Sequence, residues 1–155
     1  MSSPDNVVQR LYDAFEAKDG QRMQDCYASD ASFRDEVFNL AGAQEIGGMW
    51  KMLLEGGKDL ALEVSCVQAD ATSGTAHWDA TYTFAATKRK VVNRIDASFV
   101  LRGGLIVHHV DRFNFWAWSR QALGPIGLAL GWTPIVRGKV REVARKGLEE
   151  YLESN

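Results

Sequence analysis

The chain is short of several things, and each shortage narrows what it can be. Its 155 residues contain two cysteines, Cys26 and Cys66. Their separation suits neither a metal knuckle nor a redox pair, so no disulfide framework is expected and a reducing compartment is implied. Prolines number 3 beside 14 glycines, with 46% hydrophobic and 25% charged residues, which excludes a disordered or low-complexity chain. Neither sign of charge is in excess: 18 Lys and Arg face 20 Asp and Glu. General nucleic-acid binding, which draws its affinity from a basic face, is excluded on that balance. The longest uncharged stretch, Gln121 to Val136, falls below the ~18 residues of a membrane span and is broken by Pro125 and Pro134. Met1 to Asn6 has neither a basic nor an apolar signal region, so a cytoplasmic protein is expected. The three histidines, His77, His108 and His109, show no ligand spacing; no metal and no cofactor are expected.

What is present suits one domain over residues 1–155, large enough to bury a core. Ser3-Pro4 reads as a helix cap, and Val7, Val8, Leu11, Tyr12 and Phe15 follow at helical spacing until Gly20. Met23, Cys26 and Tyr27 mark a second short helix, and Ala31 to Asp35 a short strand. Ile46, Met49, Trp50, Leu53 and Leu54 mark a third helix closed by Gly56-Gly57. The period then changes to two, through Leu60–Cys66, Trp78–Phe84, Asn93–Leu101 and Leu105–Phe115. Helices followed by long strands predict an α+β fold, with helices packed on one face of an antiparallel sheet. The tail holds a Gly-rich apolar piece, Ala122 to Trp132. After it Thr133-Pro134 caps a closing helix with Val136, Val140, Val143, Ala144, Leu148, Tyr151 and Leu152 on one face.

Strand register decides which side chains share a face. A two-residue Gly103-Gly104 turn sets Leu101 opposite Ile106; a three-residue Arg102-Gly103-Gly104 turn sets Leu101 opposite Leu105. The longer turn gives cleaner faces and is the expectation, with the preceding hairpin turning at Lys88-Arg89. Asn93, Ile95, Ala97, Phe99, Leu101, Leu105, Val107, His109, Asp111 and Phe113 then share one face with Trp78 and Tyr82. Arg94, Asp96, Ser98, Ile106, His108 and Arg112 lie on the other. Polar groups converging on an apolar face, Asn93, His109, Asp111 and the Tyr82 hydroxyl, read as the lining of a pocket.

The order of elements over about residues 5–118 resembles the nuclear transport factor 2-like superfamily. That implies a conical, cystatin-like fold whose curved sheet encloses a pocket, here with a C-terminal helical extension over 119–155. Val7-Val8-Gln9-Arg10 and Tyr27-Ala28-Ser29-Asp30-Ala31-Ser32-Phe33-Arg34-Asp35 resemble the first helix and strand of ketosteroid isomerases, which implies a general-base position at Asp35. Gly104 to Asp111 is similar to the His-x-Asp strand of SnoaL-like polyketide cyclases, which implies an acid/base position at Asp111. Leu11 stands where the isomerases keep their first-helix tyrosine, with Tyr12 one residue on, and Ala97 stands at their second oxyanion position. The tail from Trp118 to Gly124, with Gly131-Trp132, resembles a SnoaL-like subgroup of unassigned function.

Asp35, His109 and Asp111 are therefore the candidate catalytic residues, and Tyr12, Trp50, Trp78, Tyr82, Asn93 and Phe113 the candidate substrate contacts. The expected partner is a small apolar or aromatic, carbonyl-bearing molecule. The expected chemistry is cofactor-independent proton transfer in an isomerase or cyclase, with non-catalytic binding in the same pocket as the alternative. At Asp35 the competing role is a turn cap, and for His109 and Asp111 a satisfied buried pair. The tail is read as a lid or a subunit contact rather than a membrane-surface element, since it has no basic face of its own. The resemblance implies a homodimer through the outer sheet face.

Overall fold

The computed structural model describes residues 6–154. The predicted Ser3-Pro4 cap lies outside them. Helix α1 (Val7–Glu16) is capped by Asn6, whose Oδ1 accepts from the backbone N–H groups of Val8 and Gln9. Its sheet side buries Val8, Leu11, Tyr12 and Phe15. Helix α2 (Gly20–Gln24), capped by Asp19, is shorter than expected. Tyr27 does not belong to it but opens strand β1 (Tyr27–Arg34). A short β2 (Asn39–Ala41), not signalled by any periodicity, pairs back on β1 before helix α3 (Ala43–Gly56).

Strands β3 (Ala61–Ala69), β4 (Ser73–Phe84), β5 (Arg89–Arg102) and β6 (Leu105–Arg112) complete a six-stranded sheet in the order β2-β1-β6-β5-β4-β3. It is antiparallel except where β1 runs parallel to β6, which corrects the expectation of a wholly antiparallel sheet. The alternation read through Cys66 fails locally. A register shift between Ser65 and Gln68, with Cys66 at φ +55°, turns this thiol outward.

Two turns also differ from expectation. The β4–β5 hairpin closes through residues 85–88, with Phe84 opposite Arg89 and the Lys88 N–H donating to the Phe84 carbonyl. The β5–β6 turn is the two-residue Gly103-Gly104 form, both at positive φ, with Arg102 opposite Leu105 and Leu101 opposite Ile106. Ile106 is accordingly buried, not on the outer face. A one-residue bulge at Val107 then resets the pairing, so Val100 meets His108 and Phe99 meets His109. The bulge restores the faces that the three-residue turn was expected to produce, by a different route. His109 and Asp111 point into the core, and His108 points out.

Strand β6 ends at Arg112, three residues before the Phe115 to which the apolar pattern carried it. Asn114 caps α4 (Phe115–Ala122) by accepting from the Ala117 N–H, so Phe115 starts a helix rather than ending a strand. A one-and-a-half-turn helix α5 (Pro125–Leu130) crosses α4, and α6 (Pro134–Ser154) returns along α3. Thr133 caps α6 through its hydroxyl. Leu148 is buried against α3, and Arg145 reaches Glu45 while Arg137 reaches Glu36.

At the α4–α5 crossing the Ser119 carbonyl lies where a side chain on Gly127 would sit, whereas Gly138 on the exposed side of α6 has open space around it. Gly127→Ala is expected to cost about 2 kcal/mol through forced separation of the helices. Gly138→Ala should stabilise by about 0.5–1 kcal/mol through helix propensity alone. Thermal melts of the two variants check the pair; equal shifts would contradict the crossing.

Candidate functional site

Between the sheet, α3 and the C-terminal helices lies a cavity of about 660 Å³ with an overwhelmingly apolar wall. Seven of the nine residues singled out from the sequence line it: Asp35, Trp50, Trp78, Tyr82, Asn93, Asp111 and Phe113. His109 and Tyr12 do not. Both are buried, at 1% and 2% exposure, outside the set of lining residues. The tail supplies much of the remaining wall, through Leu123 and Ile126 and through Val136, Val140, Val143 and Ala144 of α6. Leu123, Ile126 and α6 are thus part of the cavity wall in this structure.

Each polar group on this wall has a distinct local origin. Asp35 ends the pairing of β1 and closes the following turn: its Oδ1 accepts from the N–H groups of Val37 at 2.7 Å and Phe38 at 2.6 Å. Both bonds fall on one oxygen, leaving Oδ2 outside the turn. Burial raises the Asp35 carboxyl to about 6 against an ordinary value of 3.8, with the two backbone bonds opposing and the nearby Asp111 charge assisting. Asn93, 8% exposed, makes no side-chain hydrogen bond among the described residues, so its amide is unpartnered on the wall. The Tyr82 oxygen accepts from Trp118 Nε1 at 2.8 Å, which leaves its own proton uncommitted, and burial raises its pKa.

Asp111, 3% exposed, is held by a line of bonds that spans three elements. Trp50 Nε1 of α3 donates to the Tyr27 hydroxyl of β1 at 3.0 Å, and that hydroxyl lies 2.9 Å from His109 Nδ1 of β6. His109 Nε2 lies 2.7 Å from Asp111 Oδ1. The proton positions follow from the inventory of donors. With a neutral imidazole the line is satisfied when the Tyr27 hydroxyl, accepting from Trp50, donates to Nδ1 and the ring proton on Nε2 is donated to Asp111 Oδ1. Phe99 and Phe33 flank this imidazole, with ring centroids 4.2 and 4.9 Å away. Burial raises the Tyr27 pKa well above its ordinary value, so the hydroxyl keeps the proton the line requires. Tyr27 was absent from the sequence candidates because its spacing reads as the end of a helix. The resemblance of Tyr27–Asp35 to the first strand of ketosteroid isomerases points to a strand start there, but not to its pairing opposite Ile106.

Tyr12 packs against Trp78 and Phe99 with its hydroxyl buried and without a partner among the described residues, as is the Trp78 Nε1. Burial, and secondarily the Asp111 charge, raises the Tyr12 pKa. On the outer face His77 bridges Asp79 and Asp96 at 2.8 Å each, and these raise its pKa. That face is charged and separate from the cavity. Among the described residues no cluster of His, Cys, Asp and Glu could hold a metal, and no helix is long and apolar enough to cross a membrane.

A curved, open sheet wrapped by helices around a cavity with carboxylates on its wall is the architecture of nuclear transport factor 2-like, ketosteroid isomerase-like proteins. Solved structures agree on the fold. A putative polyketide cyclase from Silicibacter sp. TM1040 is 22% identical, with a TM-score of 0.64 over 76% of this chain and 93% of that one. A hypothetical protein of ketosteroid isomerase-like fold from Catenulispora acidiphila, crystallised with trimethylamine, is 15% identical, with a TM-score of 0.67 over 86% and 100%. An epoxide hydrolase from M. tuberculosis is 16% identical, with a TM-score of 0.61 over 79% and 92%. The SnoaL-like domain family model matches residues 8–109, and the chain belongs to that family. No curated protein sequence matches it.

Two expectations test the site. The Asp35 carboxyl binds its proton more tightly folded than unfolded, so its contribution to stability is full below about pH 3.8 and is lost as pH rises through about 6. Asp35→Asn should match the parent near pH 4 and exceed it above pH 6 by on the order of 2 kcal/mol, read from urea midpoints across that range. A constant difference would contradict the buried carboxyl. Tyr27→Phe removes the acceptor of Trp50 Nε1 and the donor to His109 together, and should cost about 1–3 kcal/mol in the same assay.

Proposed function

We propose that the chain is a cofactor-independent proton-transfer enzyme acting on a small, apolar, carbonyl-bearing molecule. The observation that carries the reading is the composition of one cavity wall. Asp35 and Asp111 stand on it with the uncommitted Asn93 amide and Tyr82 hydroxyl, and almost everything else is apolar. Apolar walls take up the body of the substrate, and the few polar groups fix which end reacts.

In this reading Asp35 removes a proton from the carbon next to the carbonyl. Its carboxyl, raised to about 6, is ionised at neutral pH yet basic enough to accept it. The electrons of the broken C–H bond move into the carbonyl, and the enolate oxygen is met by the Asn93 N–H and the Tyr82 O–H. Returning the proton from Asp35 to a conjugated carbon completes an isomerisation. If the enolate carbon instead attacks a second carbonyl of the same molecule, a C–C bond forms and the proton passes to the new alkoxide. Burial is the main reason the proton affinity of Asp35 is high, and the Asp111 charge beside it adds to that. His109 acts through Asp111 by fixing its Oδ1, and is a positioning residue.

A second reading, retention of an apolar molecule without chemistry, is favoured by one observation: Asp35 Oδ1 is already committed to the turn. Exchange of α-hydrogen into D2O separates the two, measured by mass spectrometry on a long-chain apolar β-ketoester. Catalysed exchange should rise with pH through about 6 and level off. Asp35→Asn should lower it by about 10²-fold or more, and Asp111→Asn should move the pH limb to lower values. Exchange unaffected by either substitution would leave the binding reading.

A further inference from the structure

The C-terminal elements carry an apolar surface that no described residue covers. Ile126, Leu128 and Leu130 of α5, Trp132 in the following turn and Ile135 at the start of α6 are all exposed, Trp132 at 69% and Ile135 at 82%. Trp116 of α4 joins them, its Nε1 donating to the Leu128 carbonyl. Isolated apolar side chains on a surface need no explanation, but six large ones on three successive elements do.

The same region has a charge character that the whole-chain balance hides. Residues 113–141 contain four basic side chains and no Asp or Glu, while the net charge of −2 leaves −6 on the rest of the chain. Arg137 and Arg141 are tied to Glu36. Arg120 has no acidic partner among the described residues and stacks on Trp116 at 5.4 Å from the ring centroid. Lys139, likewise without an acidic partner, stands exposed on the cavity rim with Ile126. The basic start of α6 follows the apolar piece directly along the chain, and that piece carries no acidic side chain to neutralise it.

We infer that this face docks on the surface of an anionic lipid bilayer. Exposed tryptophans and aliphatic side chains flanked by basic ones match a headgroup–acyl boundary on both counts, apolar area and charge. A second copy fits less well, because a symmetric contact would set the same basic stretch against itself. The position of the cavity gives the docking a purpose. Ile126 of the patch is exposed and also lines the cavity, as does Val143 of α6, so the patch and the cavity share a residue. A lipid-soluble molecule enters from the bilayer without crossing water. Docking itself requires no chemistry in the cavity, and its failure leaves the proton-transfer reading untouched.

The test is co-sedimentation of the full chain with phosphatidylcholine vesicles containing phosphatidylglycerol at about 30 mol%. Binding is expected, and should weaken about tenfold or more on pure phosphatidylcholine vesicles or in high salt. The combined Leu128→Ser, Trp132→Ser and Ile135→Ser variant, all at exposed positions, should bind about tenfold or more weakly with an unchanged circular-dichroism melt. Lys139→Gln should weaken it about fivefold. Val100→Ser, an exposed apolar position on the outer sheet face, should bind as the parent does. Absence of binding to anionic vesicles, or binding indifferent to the triple substitution, would overturn the inference. So would a dimer in sedimentation equilibrium that the triple substitution dissociates, which would assign the patch to a second copy.

Discussion

A carboxylate buried in an apolar sheet face has to be answered by donors, and much of this architecture follows from how Asp111 is answered. Its Oδ1 is bonded to His109 Nε2, His109 Nδ1 to the Tyr27 hydroxyl, and that hydroxyl accepts from the Trp50 N–H. Every link is made between residues of different elements or two positions apart on β6. The line therefore stitches the sheet centre to α3 and leaves no direction free for the imidazole. An unpaired charge at that depth would be far more costly than any single bond in the line is worth.

The stitch in turn depends on one extra backbone residue. Without the bulge at Val107, the two-residue Gly103-Gly104 turn would send His109 and Asp111 to the charged outer face, among Asp96 and Arg94. With it, Ile106 and His109 both point inward although three residues separate them, and His108 goes to solvent, where its Nδ1 meets Ser32 Oγ. Bulges commonly re-aim a side chain next to a site, and this one turns the His-x-Asp pair inward, with Asp111 on the cavity wall and His109 buried behind it.

The cavity is built from two sources with different physics. The family-matched part, residues 8–109, supplies most of the polar side, including Asp35, Tyr82 and Asn93. The tail supplies apolar wall and rim, and is held in place by contacts that carry no chemistry. Gly127 lets α5 sit on α4, and Arg145, Arg137 and Arg141 tie α6 to Glu45 and to the turn that Asp35 caps. Because Glu36 and Asp35 share that turn, the placement of α6 and the placement of the candidate base are coupled through two adjacent residues.

Much was legible in the sequence because it depends on local periodicity. The 3.6-residue spacing from Val7 to Phe15, the alternation from Asn93 to Leu101 and the apolar face of the closing helix each report a buried side that any partner must cover. The same alternation put Asn93, Tyr82 and Asp111 on one face, where the structure has them lining one cavity. Other features depended on which strands become neighbours. The parallel pairing of β1 with β6 is invisible to periodicity, and it alone brings Tyr27 within reach of His109. The two-residue turn and its compensating bulge could not be read, because both registers offer an apolar inner face and only packing against Tyr12, Phe33 and Trp50 discriminates between them. Sequence by itself determined the elements, their buried sides and the residue types available for chemistry, since these follow from short-range spacing. Tertiary structure decided which of those residues meet, since hydrogen bonds and burial act between atoms close in space, however far apart they lie along the chain.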